Sequence, residues 1–326
     1  MTSPPSSAAE SQTVADYLRP PAPAAQGTKL LLRNARLRAL CGAATFLSRL
    51  RGMRSGPGFG ILMYHRVTDP VPGKPTPTWN VTPERFQEQI GGLLKRGYEP
   101  WPLRYALDHH RKGLPIPRKA FVITFDDGYA NVYQHAFPVL KRLKAPATIF
   151  LATAYLDSES PFPCDDWPVT GASDVPAEAW QPLTTDQCLE MQQSGLIELG
   201  AHTHTHQDFR GRPEALREDL LANMKELRER FGQNDATFAF PYGVRRLGFA
   251  GPPLNQVARE VGLLCSLSTE PLLVRPDSDP FDWGRFNAEE FETSASLAAK
   301  LEGWYEAVRK AWLRVSNVIR KPEARR

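Results

Sequence analysis

The feature that most constrains this chain is a regular alternation of short apolar strands with helical segments from residue 57 onward. Strand-like apolar runs occur at 60–64 (GILMY), 121–125 (FVITF), 147–151 (ATIFL) and 236–240 (ATFAF). Apolar residues at helical spacing separate them, and the first of these helices has Thr82 as its N-cap and Pro83 in its first turn. Strands alternating with helices predict a mainly parallel sheet, either doubly wound or rolled into a β/α barrel.

Each of four predicted strands is followed by a cluster of chemically useful groups. The clusters are His65, the pair Asp126 and Asp127, the segment 202–206 (HTHTH) and the segment 241–243 (PYG). Because the carboxyl ends of parallel strands meet at one edge of an α/β fold, we expect these groups to share a site. Four polar clusters at four strand ends are difficult to explain as packing.

The histidines and carboxylates predict a metal site with positions left open for water. His202 and His206 share a face if their segment turns helically, whereas an extended segment would point all three of its histidines the same way. The spacing does not choose between the two. Of the adjacent Asp126 and Asp127, one can hold a cation while the other stays free as a base, although Asp-Gly is also ordinary turn chemistry.

Composition indicates a globular protein with basic ends. Of the 326 residues, 41% are apolar and 23% are charged, which excludes collagenous and disordered classes. The formal charge of +4 is too small to indicate a nucleic-acid partner. Segments 28–56 and 300–326 carry +7 and +5, so with −1 on 1–27 the remaining segment 57–299 carries −7.

The four scattered cysteines argue against a disulfide framework and against thiolate zinc.

The chain divides into four segments. Residues 1–27, rich in Pro, Ala and Ser, predict a disordered tail, and residues 28–56 predict a basic helix. Residues 57–290 form the predicted α/β domain, with a Pro-rich insertion at 155–183. Residues 291–326 are expected to form a basic C-terminal helix.

Three motifs resemble those of the polysaccharide deacetylases, the NodB-homology carbohydrate esterases. They are TFDDGY at 124–129, HTHTH at 202–206 and FPYG at 240–243, and the resemblance spans about residues 58–290. It implies an irregular, distorted β/α barrel with one divalent metal ion, most often Zn²⁺, at its mouth. LMYHRV at 62–67 resembles the permuted branch, like the poly-N-acetylglucosamine deacetylases, in which the catalytic histidine comes first.

The resemblance also implies roles for individual residues. Asp127, His202 and His206 would be the metal ligands, Asp126 the catalytic base, His65 the general acid, and Tyr242 the donor of a backbone N–H to the oxyanion. We expect substrate contacts from Pro241, Tyr242, Trp283 and Arg285. In the implied reaction the ion activates a water, the base takes its proton, and the acid protonates the departing amine.

One departure from the family pattern concerns the arginine that orients the base. Where many members have arginine two residues before the proline of the FPYG motif, this chain has Ala239. Arg285 and Arg66 are the two candidates to replace that arginine, and an ordinary structural role is the alternative for each.

The expected function is metal-dependent removal of N-acetyl groups from N-acetylhexosamine units of a polysaccharide, oligosaccharide or glycolipid precursor. One alternative removes a formyl or other small acyl group from a lipid- or nucleotide-linked amino sugar with the same residues. Another is an inactive carbohydrate-binding relative, which only Ala239 supports. Non-haem iron uses a similar ligand set, but nothing marks a 2-oxo-acid clamp.

The sequence also allows expectations about location and partners. The first residues lack the basic start and apolar stretch of a secretory signal, and no apolar run reaches the ~18 residues of a spanning helix. We therefore expect a cytoplasmic protein whose basic ends rest on the inner face of the membrane, with ordinary packing helices as the alternative. The expected partner is an N-acetylated sugar polymer or oligomer, not nucleic acid.

Overall fold

The computed structural model describes residues 23–54, 56–74, 76–163 and 175–319, which contain ten strands and nine α-helices. The strands are β1 (Gly60–Tyr64), β2 (Arg66–Val67), β3 (Asn80–Val81), β4 (Glu99–Pro100), β5 (Ala120–Phe125), β6 (Ala147–Leu151), β7 (Ile197–Ala201), β8 (Phe238–Ala239), β9 (Ser266–Leu267) and β10 (Phe286–Asn287). The helices are α1 (Pro23–Arg51), α2 (Pro83–Lys95), α3 (Leu103–Arg111), α4 (Phe137–Leu143), α5 (Thr185–Gln193), α6 (Pro213–Phe231), α7 (Pro252–Glu260), α8 (Ser294–Leu301) and α9 (Trp304–Ile319). A π-helical turn at Val132–Ala136 leads into α4.

One curled parallel sheet carries the site. Its strand order is β10-β1-β5-β6-β7-β8-β9, and every pair along it is parallel. β4 pairs with the start of β5, where Glu99 lies opposite Ala120. A bridge between Leu267 and Trp283 joins β9 to the segment that leads into β10, so the two ends of the sheet approach each other. This is the irregular β/α barrel that the resemblance implies, and not the doubly wound alternative.

Side chains alternate between the interior of the curled sheet and the surrounding helices. Leu62 and Tyr64 of β1 belong to the main core, where the ring of Tyr64 packs edge-on against Phe86 of α2. Ile61, the residue before Leu62, belongs to a second cluster with Val122 of β5, its neighbour in the sheet. Because strand side chains have a period of two, this alternation also decides which residues beyond each strand end point inward.

Local signals explain several element boundaries. α2 begins where the Thr82 side chain accepts a hydrogen bond from the Arg85 backbone N–H, with Pro83 at the first helical position, as predicted. α6 ends at Gly232, whose φ of +68° suits the left-handed cap that glycine favours. α5 begins with a capping box between Thr184 and Gln187.

The ends of the chain differ from the predicted segments. α1 begins at Pro23, inside the predicted tail, and residues 1–22 lie outside the described part. The predicted C-terminal helix is two helices, because Gly303, with a φ of +82°, separates α8 from α9. Residues 164–174 of the Pro-rich insertion also lie outside the described residues, so the insertion and the domain boundaries stay predictions. In the ranges described, none of the helices has both the length and the hydropathy to cross a membrane.

Candidate active site

Polar side chains gather where the parallel strands end, on the inner face of the curled sheet. His65 follows β1 and has the same strand parity as the inward-facing Ile61. Asp126 follows β5 with the parity of Val122, and His202 follows β7. Because alternate residues of a strand share a face, the side chains at these three strand ends converge.

Asp127, His202 and His206 form the group that can hold a metal ion. Oδ1 of Asp127 lies 3.2 Å from Nε2 of His202 and 3.2 Å from Nε2 of His206. The ligand atoms all lie within 4.8 Å of one another. Two imidazole nitrogens and one carboxylate oxygen suit Zn²⁺, and three protein ligands leave a position for water or substrate. The chemistry and spacing of the donors thus fit a divalent ion, whose identity stays a prediction.

Neighbouring groups set the chemical state of these ligand atoms. Nδ1–H of His202 donates to the backbone oxygen of Ala239 at 2.8 Å, so Nε2 is the ring nitrogen that faces Asp127 and the ligand position. Burial opposes the charged form of Asp127, but hydrogen bonds from His202 and His206 outweigh it and hold the pKa of this carboxyl well below its usual range. Asp127 is therefore available as an anionic ligand.

The segment 202–206 is neither helical nor extended. Thr203 and His206 have φ values of +65° and +53°, a left-handed conformation that is uncommon for such residues and brings the first and last histidines together. His204 points elsewhere, with its Nδ1 lying 3.0 Å from Oγ1 of Thr153. Neither alternative left open by the spacing describes this backbone.

Asp126 is held by Arg285 through two hydrogen bonds. Nη1 and Nη2 of Arg285 donate to Oδ1 and Oδ2 of Asp126 at 2.6 Å and 2.8 Å. Burial works to raise the pKa of Asp126, but the charges of Arg285 and of the nearby imidazoles place it below its ordinary value. Arg66 instead donates to the backbone oxygen of Thr78 and the hydroxyl of Tyr129. Arg285 is fully buried and directs both terminal nitrogens at Asp126, while the predicted substrate contact from Arg285 stays a prediction.

His65 lies beside the same carboxylate. Its Nε2 is 3.9 Å from Oδ2 of Asp126, while its Nδ1 is buried without a hydrogen-bond partner among the described residues. The imidazole instead stacks on Trp79, with ring centroids 5.5 Å apart and an angle of 19° between the planes. Burial lowers the pKa of His65, against the opposing charges of Asp127 and Asp126. Stacking, rather than a hydrogen bond at Nδ1, therefore holds this ring.

Trp79 is a site residue that the sequence did not reveal. It reaches His65 because β2, directly after His65, pairs in parallel with β3, directly after Trp79. The Arg66 N–H donates to the Trp79 backbone oxygen at 3.3 Å, and Trp79 itself has a φ of +59°. A pairing of two-residue strands across a Pro-rich loop leaves no periodic signal in the sequence.

The turn after β8 lies against the metal ligands. Tyr242 has a φ of +62°, and the Gly243 N–H donates to the Pro241 oxygen at 2.6 Å. The Tyr242 ring packs against His206 with centroids 5.1 Å apart. A Cβ at Gly243 would lie 2.9 Å from the backbone nitrogen of Thr269, which explains a glycine there. The predicted oxyanion and substrate roles of Pro241 and Tyr242 stay predictions.

Trp283 does not border the site. Only 1% of it is exposed, and it fills the interior cluster beneath the strand ends, edge-on to Phe59 at 5.6 Å. This burial does not support the predicted substrate contact from Trp283, which stays a prediction.

Comparisons with known proteins give a matching family model, named relatives and solved structures of similar fold. Residues 114–263 match the family model described as polysaccharide deacetylase. Over 146 residues the chain is 32% identical to a protein of Escherichia coli (strain K12) named poly-beta-1,6-N-acetyl-D-glucosamine N-deacetylase, covering 45% of this chain but 20% of that protein. A Staphylococcus aureus (strain MRSA252) protein of the same name is 25% identical over 212 residues, covering 62% and 66%. The chain thus spans about a fifth of the first relative and about two thirds of the second.

A solved structure described as IcaB from Ammonifex degensii superposes with a TM-score of 0.61 and 25% identity. The superposition covers 79% of this chain and 98% of that one, which confirms the fold. A de-N-acetylase from Aggregatibacter actinomycetemcomitans also gives a TM-score of 0.61, at 21% identity, covering 74% and 99%. His65 and Arg285 lie outside the segment that matches the family model. The fold nevertheless brings both side chains to the Asp126 carboxylate, which lies inside that segment.

Proposed function

We propose that this chain is a metal-dependent hydrolase that removes N-acetyl groups from N-acetylhexosamine units of a polymer or oligomer, and the match of residues 114–263 to the polysaccharide deacetylase family model supports the proposal. The observation that carries the proposal is the placement of Asp126. It is fixed by Arg285, faces His65, and adjoins the ligand Asp127 in the chain. A base, an acid and a cation site at one point are the groups that amide hydrolysis requires.

Asp127, His202 and His206 would hold the ion, with Zn²⁺ as the proposed metal. When bound, it supplies Lewis-acid polarisation of the acetamide oxygen and lowers the pKa of a water molecule. The Ala239 oxygen keeps His202 in the tautomer that presents Nε2.

Asp126 would accept the proton of the attacking water. Its ion pair with Arg285 keeps the carboxylate ionised and fixes both of its oxygens, so little reorganisation is needed when the proton arrives. The Arg285–Asp126 pair also argues against an inactive relative, because Arg285, directly before β10, can replace the arginine absent at Ala239.

His65 would protonate the departing amine, since an amide anion is a very poor leaving group. Trp79 holds its ring by stacking and leaves Nε2 facing the site. The backbone N–H of Tyr242 would donate to the oxyanion that develops on the acetamide. Each of these roles belongs to a side chain or backbone group at a different strand end.

The test is release of acetate from N-acetylglucosamine oligomers by the purified protein loaded with Zn²⁺. Acetate with a matching yield of free amines supports the proposal. Formate from a formylated amino sugar, with no acetate from the oligomers, would favour the deformylase alternative. No acyl release from either substrate by zinc-loaded protein would contradict the proposed activity.

A further inference from the structure

Helix α1 carries an apolar stripe on its outer face. Leu32, Phe46 and Leu50 are between 62% and 67% exposed. At 3.6 residues per turn they fall within about 40° of one another around the helix axis. The small residues Ala39 and Ala43 lie between them and are also exposed. The stripe therefore runs along most of the described length of the helix.

The stripe is not the face on which α1 packs. Leu40, Cys41 and Ala44 lie about 80° to 180° around the helix axis from Leu32 and are buried in the main core. There the Cys41 thiol donates to Glu292, which is paired with Lys300 of α8. An amphipathic surface helix normally keeps apolar residues on its core side, so the second, outward apolar face requires another explanation.

Exposed apolar side chains concentrate on α1 and on the helix beside it. Trp312 and Val315 of α9 are 38% and 58% exposed, and the Arg36 guanidinium of α1 lies 3.6 Å from the centroid of the Trp312 ring. Of the eight large apolar side chains exposed in the described residues, five belong to this helix pair. The outward surface of the pair is thus the most apolar part of the described exterior.

Arginines flank the stripe on both sides. Helical geometry places Arg36 and Arg51 on one side of it and Arg38 and Arg49 on the other, and all four are exposed. The sequence of α1 contains no acidic residue. An apolar stripe between two rows of cations is complementary to the acyl boundary and the phosphates of an anionic bilayer.

We propose that the outer face of α1, with Trp312 and Val315 of α9, docks on an anionic phospholipid surface. The apolar stripe enters the headgroup region while the flanking arginines contact lipid phosphates. Arg33, on the same helix, lies 4.8 Å from the centroid of the Trp79 ring, which stacks on His65. The docked helix is therefore in direct contact with the edge of the active site.

The test is co-sedimentation of the full chain with vesicles of phosphatidylcholine, with or without phosphatidylglycerol. The expected result is binding to the phosphatidylglycerol vesicles that weakens as salt increases, and far weaker binding to phosphatidylcholine alone. Equal binding to the two compositions, or none to either, would overturn the proposal.

Point variants distinguish vesicle binding by this surface from nonspecific adsorption. The pair Arg49→Gln and Arg51→Gln should weaken partitioning about thirtyfold, given roughly 1 kcal/mol for each arginine near the surface. Phe46→Ser with Leu50→Ser should weaken it at least tenfold by removing the apolar contact. Leu221→Ser, an exposed leucine on α6, is the matched control and should bind as the parent does.

Two further measurements check that the variants remain folded and that their active site is intact. Circular dichroism and thermal melting of each variant should match the parent, and the arginine pair serves as the test if the serine variants melt early. Acetate release from short soluble oligomers should be unchanged, since these residues lie outside the catalytic groups. If the parent is a dimer that the serine variants convert to monomer, without any loss of vesicle binding, the stripe is an interface between copies and the proposal fails.

Discussion

Arg285 donates two hydrogen bonds to Asp126, with Nη1 2.6 Å from Oδ1 and Nη2 2.8 Å from Oδ2. The two residues lie 159 positions apart in the chain. Both side chains are buried, and the planar guanidinium fixes both carboxylate oxygens at once. The geometry leaves the carboxylate oriented towards His65 and beside the metal-ligand group. Arg285 is thus a positioning residue for the proposed base.

Replacing Arg285 by Met should leave Asp126 buried without its counter-charge. The pKa of Asp126 then rises, so the acidic limb of kcat/KM should move to higher pH, and the rate at neutral pH should fall by at least tenfold. Arg285→Lys keeps the positive charge but loses the two parallel N–H donors of the guanidinium, and it should retain more activity than the methionine variant. A pH profile of acetate release measures both; an unmoved acidic limb would contradict the assignment.

The Arg285–Asp126 pair also predicts a pH dependence of stability. Because the folded-state pKa of Asp126 lies below that of an unfolded aspartate, about 3.9, the stabilisation is fully present above that pH and is lost as pH falls through the folded-state value. The parent should therefore lose more free energy of unfolding between neutral and acidic pH than Asp126→Asn does. Urea denaturation at the two pH values provides the measurement, and equal losses would show that the pair does not stabilise the fold.

Metal binding should depend on the first and last histidines of the 202–206 segment but not on the middle one. His206→Ala should weaken Zn²⁺ binding by more than about a hundredfold, since it removes one of three protein ligands. His204→Ala is the matched control because His204 faces Thr153 and not the ligand group. Zinc stoichiometry after dialysis distinguishes them. Retained zinc in His206→Ala, or its loss in His204→Ala, would show that the ligand set is different.

Trp79 should affect turnover more than substrate binding. Trp79→Ala frees the His65 ring, whose Nδ1 has no hydrogen-bond partner in the described structure, and kcat should fall by about tenfold to a hundredfold. Trp79→Phe keeps an aromatic face and should recover most of that loss. A rise in KM with unchanged kcat would show instead that Trp79 binds the sugar.

A buried ion pair in the C-terminal part of the chain predicts an effect on stability alone. Lys300 of α8 is bonded to Glu292 and also donates to the Asn287 backbone oxygen at 2.6 Å. Lys300→Met should cost about 3–5 kcal/mol because it leaves a buried carboxylate unpaired. Lys310→Met, which removes an exposed partner of Glu306, should cost about 1 kcal/mol or less. Urea denaturation of both variants tests the difference, and equal costs would refute it.

Sequence patterns were sufficient for the architecture and for the groups at the strand ends. One buried strand is followed by two carboxylates, and another by two histidines four residues apart. Predicting that these groups share a site required only the rule that parallel strands end at one edge of the sheet. The local backbone of the histidine segment was not predictable, because its left-handed residues Thr203 and His206 are non-glycine and carry no turn signature. Strain of this kind is imposed by surrounding contacts rather than by local propensity.

Long-range partners were the harder part. Arg285 and Arg66 could not be separated, since the choice depends on which strand lies beside β1 in the sheet, and β10 does. Trp79 was missed for the same reason, because the pairing of the two-residue strands β2 and β3 is what brings it to His65. Lys300 was likewise counted with the solvated charges of the C-terminal segment. In the structure it is buried and forms an ion pair with Glu292.

Acetate release from N-acetylglucosamine oligomers by zinc-loaded parent and Asp126→Asn proteins, with zinc content measured on the same samples, tests the proposed role of Asp126 most directly. We expect equal zinc in both, acetate from the parent, and a loss of about 10²- to 10⁴-fold in the variant, because Asp126 is the proposed base and not a ligand. Parental activity in a zinc-loaded Asp126→Asn protein would contradict this role.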